Sequence, residues 1–186
     1  MVLTESDYNK LKHGDSAPEF GLMGTDNEMH SLHDYHGKKG LLVIFMCNHC
    51  PYVKAKIDTI NSLAKDFAKK GIAVVGISAN DVSRYPDDSF ESMQAWAEEK
   101  GFAFDYLYDE TQDVAKSYGA VCTPDPFLFD KDFKLVYHGR IDDGVGPDAP
   151  VTTHELRNAI EKVAKGEKLP GKERPSMGCS IKWKNV

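Results

Sequence analysis

The stretch Leu41-Leu42-Val43-Ile44-Phe45-Met46-Cys47-Asn48-His49-Cys50-Pro51-Tyr52-Val53-Lys54 decides the fold. Its apolar run from Leu41 to Met46 is too short to span a membrane and fits a strand buried on both faces, as in a parallel sheet covered by helices. Pro51 suits a first helical position, where its missing N–H would have no partner and its φ is already near the helical value. Cys50 then stands at the helix N-terminus, where unpaired amides and the helix dipole favour a thiolate. Cys47 is near enough in the chain to close a disulfide with it.

Beyond Cys50, Val53, Ile57, Ile60, Ala64 and Phe67 recur at helical spacing, and Lys69, Lys70 and Gly71 supply a C-terminal stop, which predicts one amphipathic helix over residues 52–70. Residues 72–77 form a second buried-strand pattern, so a right-handed parallel crossover links the two strands. The polar loop 78–89 follows at the same sheet end as Cys50. Ligands bind at that end of open parallel sheets, but a solvated connection with Asp88 or Ser89 as a helix cap accounts for the loop equally well. Further elements are expected as a helix over 90–100, a strand over 103–108, a short helix ending near Gly119, a hairpin built from 127–129 and 134–138, and a last helix from Thr152 or Thr153 to Lys165. Pro124, just before the hairpin, is a candidate cis proline.

The length suits a single domain over residues 1–186, with a polar arm over 1–19 and a breaker-rich tail over 167–186 that either docks or frays. A formal net charge of −6 gives no general attraction to nucleic acid or to an acidic membrane surface. The start Met1-Val2-Leu3-Thr4-Glu5-Ser6-Asp7 lacks the basic and apolar segments of a secretory signal, so a cytoplasmic protein is expected, with neither nucleic-acid nor membrane partners. Four cysteines are too few for a disulfide scaffold. Redox chemistry is their leading use. Structural zinc would need Cys122 and Cys179 to join Cys47 and Cys50, and no metal or other cofactor is expected.

A strand ending at Cys50-Pro51, a crossover helix, and Cys122-Thr123-Pro124-Asp125-Pro126-Phe127 before a hairpin and a terminal helix together resemble the thioredoxin fold. With Gly178-Cys179-Ser180-Ile181-Lys182-Trp183 they resemble its peroxiredoxin-like bacterial branch, related to alkyl hydroperoxide reductase and thiol-specific antioxidant proteins. The resemblance implies an α/β fold with a central mixed sheet flanked by helices, an N-terminal extension and an insertion between the halves. Its register places Cys50 at the nucleophile position and Val53 where a thioredoxin has its second cysteine. It also tests peroxidase chemistry. The family pattern has a proline seven residues before the nucleophile and a threonine or serine three before it, where this chain has Val43 and Cys47, and residues 121–126 lack the arginine of that pattern. Thiol exchange needs none of these groups.

The leading expectation is therefore a thiol-disulfide oxidoreductase that works through a Cys50 thiolate and a mixed disulfide resolved by Cys47, Cys122 or Cys179. Thr123 and Pro124 are candidates to contact substrate, Tyr52 to cover the site, and His49 to tune the Cys50 thiolate. The implied partners are a disulfide or peroxide substrate and a dithiol reductant such as a thioredoxin, and a homodimer is an assembly open to the chain. A redox sensor or binding module without turnover, and a weak thiol-dependent peroxidase, are the alternatives.

Overall fold

The computed structural model describes residues 3–146 and 148–184, so the first two residues of the expected arm and the last two of the expected tail lie outside the described residues. The strands, in chain order, are β1 (Leu3–Glu5), β2 (Gly21–Gly24), β3 (Met29–Ser31), β4 (Gly40–Phe45), β5 (Ile72–Ser78), β6 (Asp105–Tyr108), β7 (Cys122–Thr123), β8 (Asp125–Asp130), β9 (Leu135–His138) and β10 (Met177–Ser180). The α-helices are α1 (Pro51–Lys54), α2 (Ile57–Ala68), α3 (Phe90–Lys100), α4 (Asp113–Tyr118) and α5 (Glu155–Lys165), and short 3-10 turns lie at Leu32–Tyr35 and Pro86–Asp88. No helix among the described residues is long and apolar enough to cross a membrane.

The main sheet runs β3-β2-β6-β5-β4-β8-β9. β4, β5 and β6 are parallel to one another, β8 and β2 flank them antiparallel, and the edge strands β9 and β3 are antiparallel to β8 and β2 in turn. The sheet is therefore mixed. The apolar run of β4 is buried throughout, and the two-residue period of a strand divides it cleanly. Leu42, Ile44 and Met46 face α2 and α5 residues such as Ile60, Phe67, Leu156 and Ile160. Leu41, Val43 and Phe45 face the opposite cluster, which includes Leu32, Tyr35, Tyr118 and Phe127.

The single helix expected over 52–70 is broken in two. The Lys56 amide bonds back to the Val53 carbonyl in a tightened turn before α2 begins, and Lys56 itself has left the helical ψ (φ −111°, ψ −3°). Periodicity did not reveal the break, because Val53 and Ile57 stay on the same buried side of both pieces. The last helix starts at Glu155, later than expected. Thr152 and Thr153 instead donate their amides to the Asp143 carboxylate, at 2.7 and 2.9 Å.

The two ends of the chain meet in a second, three-stranded sheet, β1-β10-β7. The tail enters it as the middle strand, antiparallel to both neighbours, with Cys179 opposite Leu3 on one side and Thr123 on the other. Docking continues beyond β10. The Ile181 amide bonds to the Val121 carbonyl, the Asp81 amide to the Lys182 carbonyl, and the Lys182 amide to Asn80. Gly178 has a steric reason: a Cβ there would lie 1.8 Å from the Thr123 carbonyl oxygen.

Candidate active site

The site lies at the C-terminal end of β4. After Met46 the chain turns through Asn48 and His49 into α1, with Cys50 as the N-cap (φ −69°, ψ 120°) and Pro51 at the first helical position. Across from it, the Thr123-Pro124 peptide bond is cis, and it separates β7 from β8. The tail closes the third side. All four cysteines are buried thiols, and Cys50 is 0% exposed.

Cys50 is in contact with two other thiols. Its Sγ lies 2.9 Å from Cys179 Sγ and 3.4 Å from the Thr123 carbonyl oxygen. The Cys50 pKa is pulled down to about 5, first by a hydrogen bond from Cys47, with burial opposing and the Cys179 thiol, the Val53 backbone amide and Thr123 adding to the lowering. The two donors shift the other way. Cys47 is raised well above the ordinary thiol value by giving its proton to Cys50, by burial and by the nearby Asp88 charge. Cys179 is raised to about 12, by burial and then by its bond to Cys50. Cys50 is thus the thiolate of the group, and its neighbours are the proton donors. The Val53 amide is the contribution anticipated from a helix N-terminus, but the Cys47 thiol is the larger one.

The remaining residues singled out in the sequence occupy distinct places. Thr123 touches all three sulfur-bearing residues: its carbonyl lies beside Cys50, its Oγ1 is 3.5 Å from Cys47 Sγ, and the same hydroxyl is 3.5 Å from the Cys179 carbonyl. Pro124 and the half-buried Tyr52 line a small cavity of about 50 Å³ together with Arg140 and Met177. Cys122 is not part of the thiol group. Alternation along β7 turns it away from the face that Thr123 presents, towards Ser6, and burial followed by the Asp125 charge raises its pKa. Arg140, an arginine that could have reached the thiolate, is paired with Glu155 at Oε1, and Arg84 is exposed on its loop.

Asp88, first read as a possible helix cap, is a functional-site residue that sequence reasoning did not identify. Ser89 caps α3 instead, by accepting from the Ser92 amide at 3.2 Å. The Asp88 carboxylate, 0% exposed, accepts from the Asn48 amide (2.7 Å), the His49 amide (3.0 Å) and Asn80 Nδ2 (2.8 Å), and it meets His49 Nδ1 at 2.5 Å. Burial acts to raise its pKa, yet the bonds from His49 and Asn80 outweigh burial and hold it below the usual carboxylate value. Asp88 therefore organises the turn that carries both cysteines. No spacing rule links it to His49, because the pairing is made by the loop after β5 folding over the end of β4.

A buried thiolate at a helix N-terminus, between two protonated thiols and beside a cis proline, is equipped to attack an electrophilic sulfur or oxygen and to be resolved within the same chain. Comparisons with known proteins agree with this chemistry. Among curated proteins the chain is 24% identical to the thiol-disulfide oxidoreductase ResA of Bacillus cereus, over 70% of this chain and 71% of that one. It is 32% identical to a putative peroxiredoxin, bcp, of Helicobacter pylori, over 60% of this chain and 68% of the relative. Among solved structures it matches an uncharacterized conserved protein of Geobacillus kaustophilus at 42% identity and a TM-score of 0.93, covering 100% of this chain and 98% of that one. The thioredoxin domain of a thiol-disulfide oxidoreductase from Bacteroides vulgatus matches at 24% identity and a TM-score of 0.65, over 83% of this chain and 99% of that domain. This last likeness shows a thioredoxin-like fold. The sequence profile of the AhpC/TSA family matches residues 13–138, and the chain belongs to that family.

Proposed function

We propose that this protein is a thiol-disulfide oxidoreductase in which Cys50 is the nucleophile and Cys179 the resolving thiol. The observation that carries the reading is the 2.9 Å contact between the two sulfurs, with Cys50 held as the thiolate and Cys179 as the thiol. The Cys50 thiolate attacks one sulfur of a disulfide substrate, a Cys50 mixed disulfide forms, and the other substrate sulfur leaves as a thiolate. Cys179 then loses its proton and attacks Cys50 Sγ. The second substrate thiolate departs, and a Cys50–Cys179 disulfide remains. A dithiol reductant such as a thioredoxin returns the pair to the reduced state. Thr123 and Pro124 form the wall against which the substrate sulfur is held.

Disulfide mapping by mass spectrometry after stoichiometric oxidation tests this reading. Wild type should yield Cys50–Cys179, Cys50→Ser should yield no bond from that position, and Cys179→Ser should accumulate the mixed disulfide or a Cys50 bond to a different thiol. A Cys47–Cys122 bond that forms equally in wild type and Cys50→Ser would sink the assignment.

Family membership and the low-pKa Cys50 favour thiol-dependent peroxide reduction as a second reading. Val43 and Cys47 replace the family's proline and hydroxyl residue, and the arginine beside the thiolate is missing from the pattern. Peroxide consumption in the presence of a dithiol should accordingly be slow, and it should vanish in Cys50→Ser.

A further inference from the structure

The disulfide-exchange reading leaves one constellation unused. Cys47 Sγ, a ring nitrogen of His49 and a carboxylate oxygen of Asp88 lie within 4.8 Å of one another. Asp88 fixes His49 through Nδ1 at 2.5 Å, and Tyr85 stacks on the imidazole with ring centroids 5.1 Å apart and planes 16° off parallel. The other ring nitrogen, Nε2, is buried and makes no hydrogen bond among the described residues. A carboxylate that holds one imidazole nitrogen leaves the other as the position where a proton arrives or departs, and a thiol within a side-chain rotation of such a couple can be activated as a nucleophile. In the resting protein Cys47 is protonated because Cys50 carries the negative charge. Once Cys50 is locked in a mixed disulfide that charge is gone, and the Cys47 thiol no longer faces a thiolate.

We propose that His49, oriented by Asp88, is the base that takes the proton from Cys47 so that Cys47 acts as a second resolving thiol on Cys50. The proposal rests on Cys50 being the attacking thiolate. In the step, the Cys47 S–H proton moves to His49, and the resulting imidazolium is paired with the Asp88 carboxylate. Cys47 Sγ attacks Cys50 Sγ, a Cys47–Cys50 bond forms, and the bond from Cys50 to the substrate sulfur breaks. The substrate leaves as a thiolate, the two protein sulfurs are oxidised by two electrons, and the imidazolium later returns its proton to the leaving thiolate or to water.

The groups around this centre come from several elements. Asp88 and Tyr85 belong to the loop after β5, and Tyr106 of β6 donates to Asn48 Oδ1 at 2.9 Å. Lys182 of the tail lies 5.6 Å from the Tyr85 ring centre, and Cys50 with Cys179 completes the set. Asp88 is a positioning residue here and His49 the proton acceptor. Cys179 and Cys47 then resolve Cys50 from two different segments, the tail and the turn.

The test uses Cys179→Ser protein and a symmetrical aromatic disulfide whose thiolate is coloured. The first equivalent of thiolate reports attack by Cys50, and the second reports attack by Cys47 on the mixed disulfide, at a rate independent of protein concentration. With the dyad intact, the second phase should depend only weakly on hydroxide around neutral pH. In Cys179→Ser/His49→Gln it should slow by about a hundredfold at pH 7 and climb with hydroxide. In Cys179→Ser/Asp88→Asn it should slow with a shifted profile, and Asp88→Glu should restore part of the rate. Absence of the first phase in wild type would instead count against the exchange reading itself. Lack of a second equivalent, or a second phase with the same rate and pH profile after His49→Gln, overturns the proposal. If a dyad variant fails to fold and loses the first phase, the profile of Cys179→Ser alone decides, since a second phase that climbs in proportion to hydroxide around neutral pH also overturns it.

Discussion

Cys50 draws its acidity from neighbours that have protons to give, and this makes its titration a direct probe of the site. With a pKa of about 5, the group is a thiolate above that pH and a thiol below it. Its alkylation rate, read by mass spectrometry of the Cys50 peptide, should be flat through neutral pH and fall about tenfold per pH unit below the midpoint. Cys47→Ala removes the leading donor to a charged sulfur, an interaction worth about 1.5–3 kcal/mol, so the midpoint should move up and the rate at pH 6 should drop roughly tenfold. A wild-type midpoint in the ordinary thiol range would refute this account. A second buried pair sets a stability test. The Asp125 carboxylate accepts from Ser6 Oγ at 2.7 Å and faces His138 Nε2 at 2.9 Å, with both partners of the His–Asp pair almost fully buried. Asp125→Ala leaves His138 Nε2 without its carboxylate, while Ser6 keeps its bonds with Ser176, and it should cost about 1–3 kcal/mol in a urea melt. Cys50 was legible in the sequence because its setting is local: a strand end, a proline and a helix start. Asp88 was not, because a carboxylate ahead of a helix reads as a cap until the loop is seen to fold back over the turn.

At the scale of elements, β10 is the least expected and most consequential piece. The sequence left the tail either docked or frayed, and the choice depends on the two edges it finds, β1 and β7. Gly178 is where this docking is most exposed to mutation. The Cβ of Gly178→Ala cannot sit 1.8 Å from the Thr123 carbonyl, so β10 must shift away from β7. Overpacking of this kind typically costs about 1–3 kcal/mol. The expected results are a lower Tm, faster proteolysis after residue 166 and loss of the Cys50–Cys179 crosslink on oxidation. Retention of the crosslink at the wild-type rate would show that β10 has slack. The main sheet followed from pattern more directly. The Leu41–Met46 run could be buried on both faces only within a covered sheet, whereas the break between α1 and α2 left no mark because both pieces keep the same apolar side inward.

For the whole molecule, Cys50 and Cys179 lie 129 positions apart and meet only because both chain ends fold into one small sheet beside the active site. Oxidation would therefore close a very long loop, for which chain-entropy reasoning gives a stabilisation of about 4–5 kcal/mol. The oxidised protein should melt on the order of 10 °C higher than the reduced one, by calorimetry with and without reductant, and Cys179→Ser should abolish the difference. An oxidised form that melts lower would mean that the bond pulls the tail out of register. By itself, the sequence determined the covered parallel core, the strand that ends at a helix-capping thiol, the proline ahead of the hairpin and the thioredoxin-like character of the chain. Each of these rests on periodicity or on residues a few positions apart, where the backbone fixes the geometry. Only the tertiary structure decided that Cys179 meets Cys50, that Cys122 faces elsewhere and that Asp88 holds His49. Those relations join segments separated by tens to more than a hundred residues, and strand pairing and loop packing bring them together without leaving a spacing in the sequence.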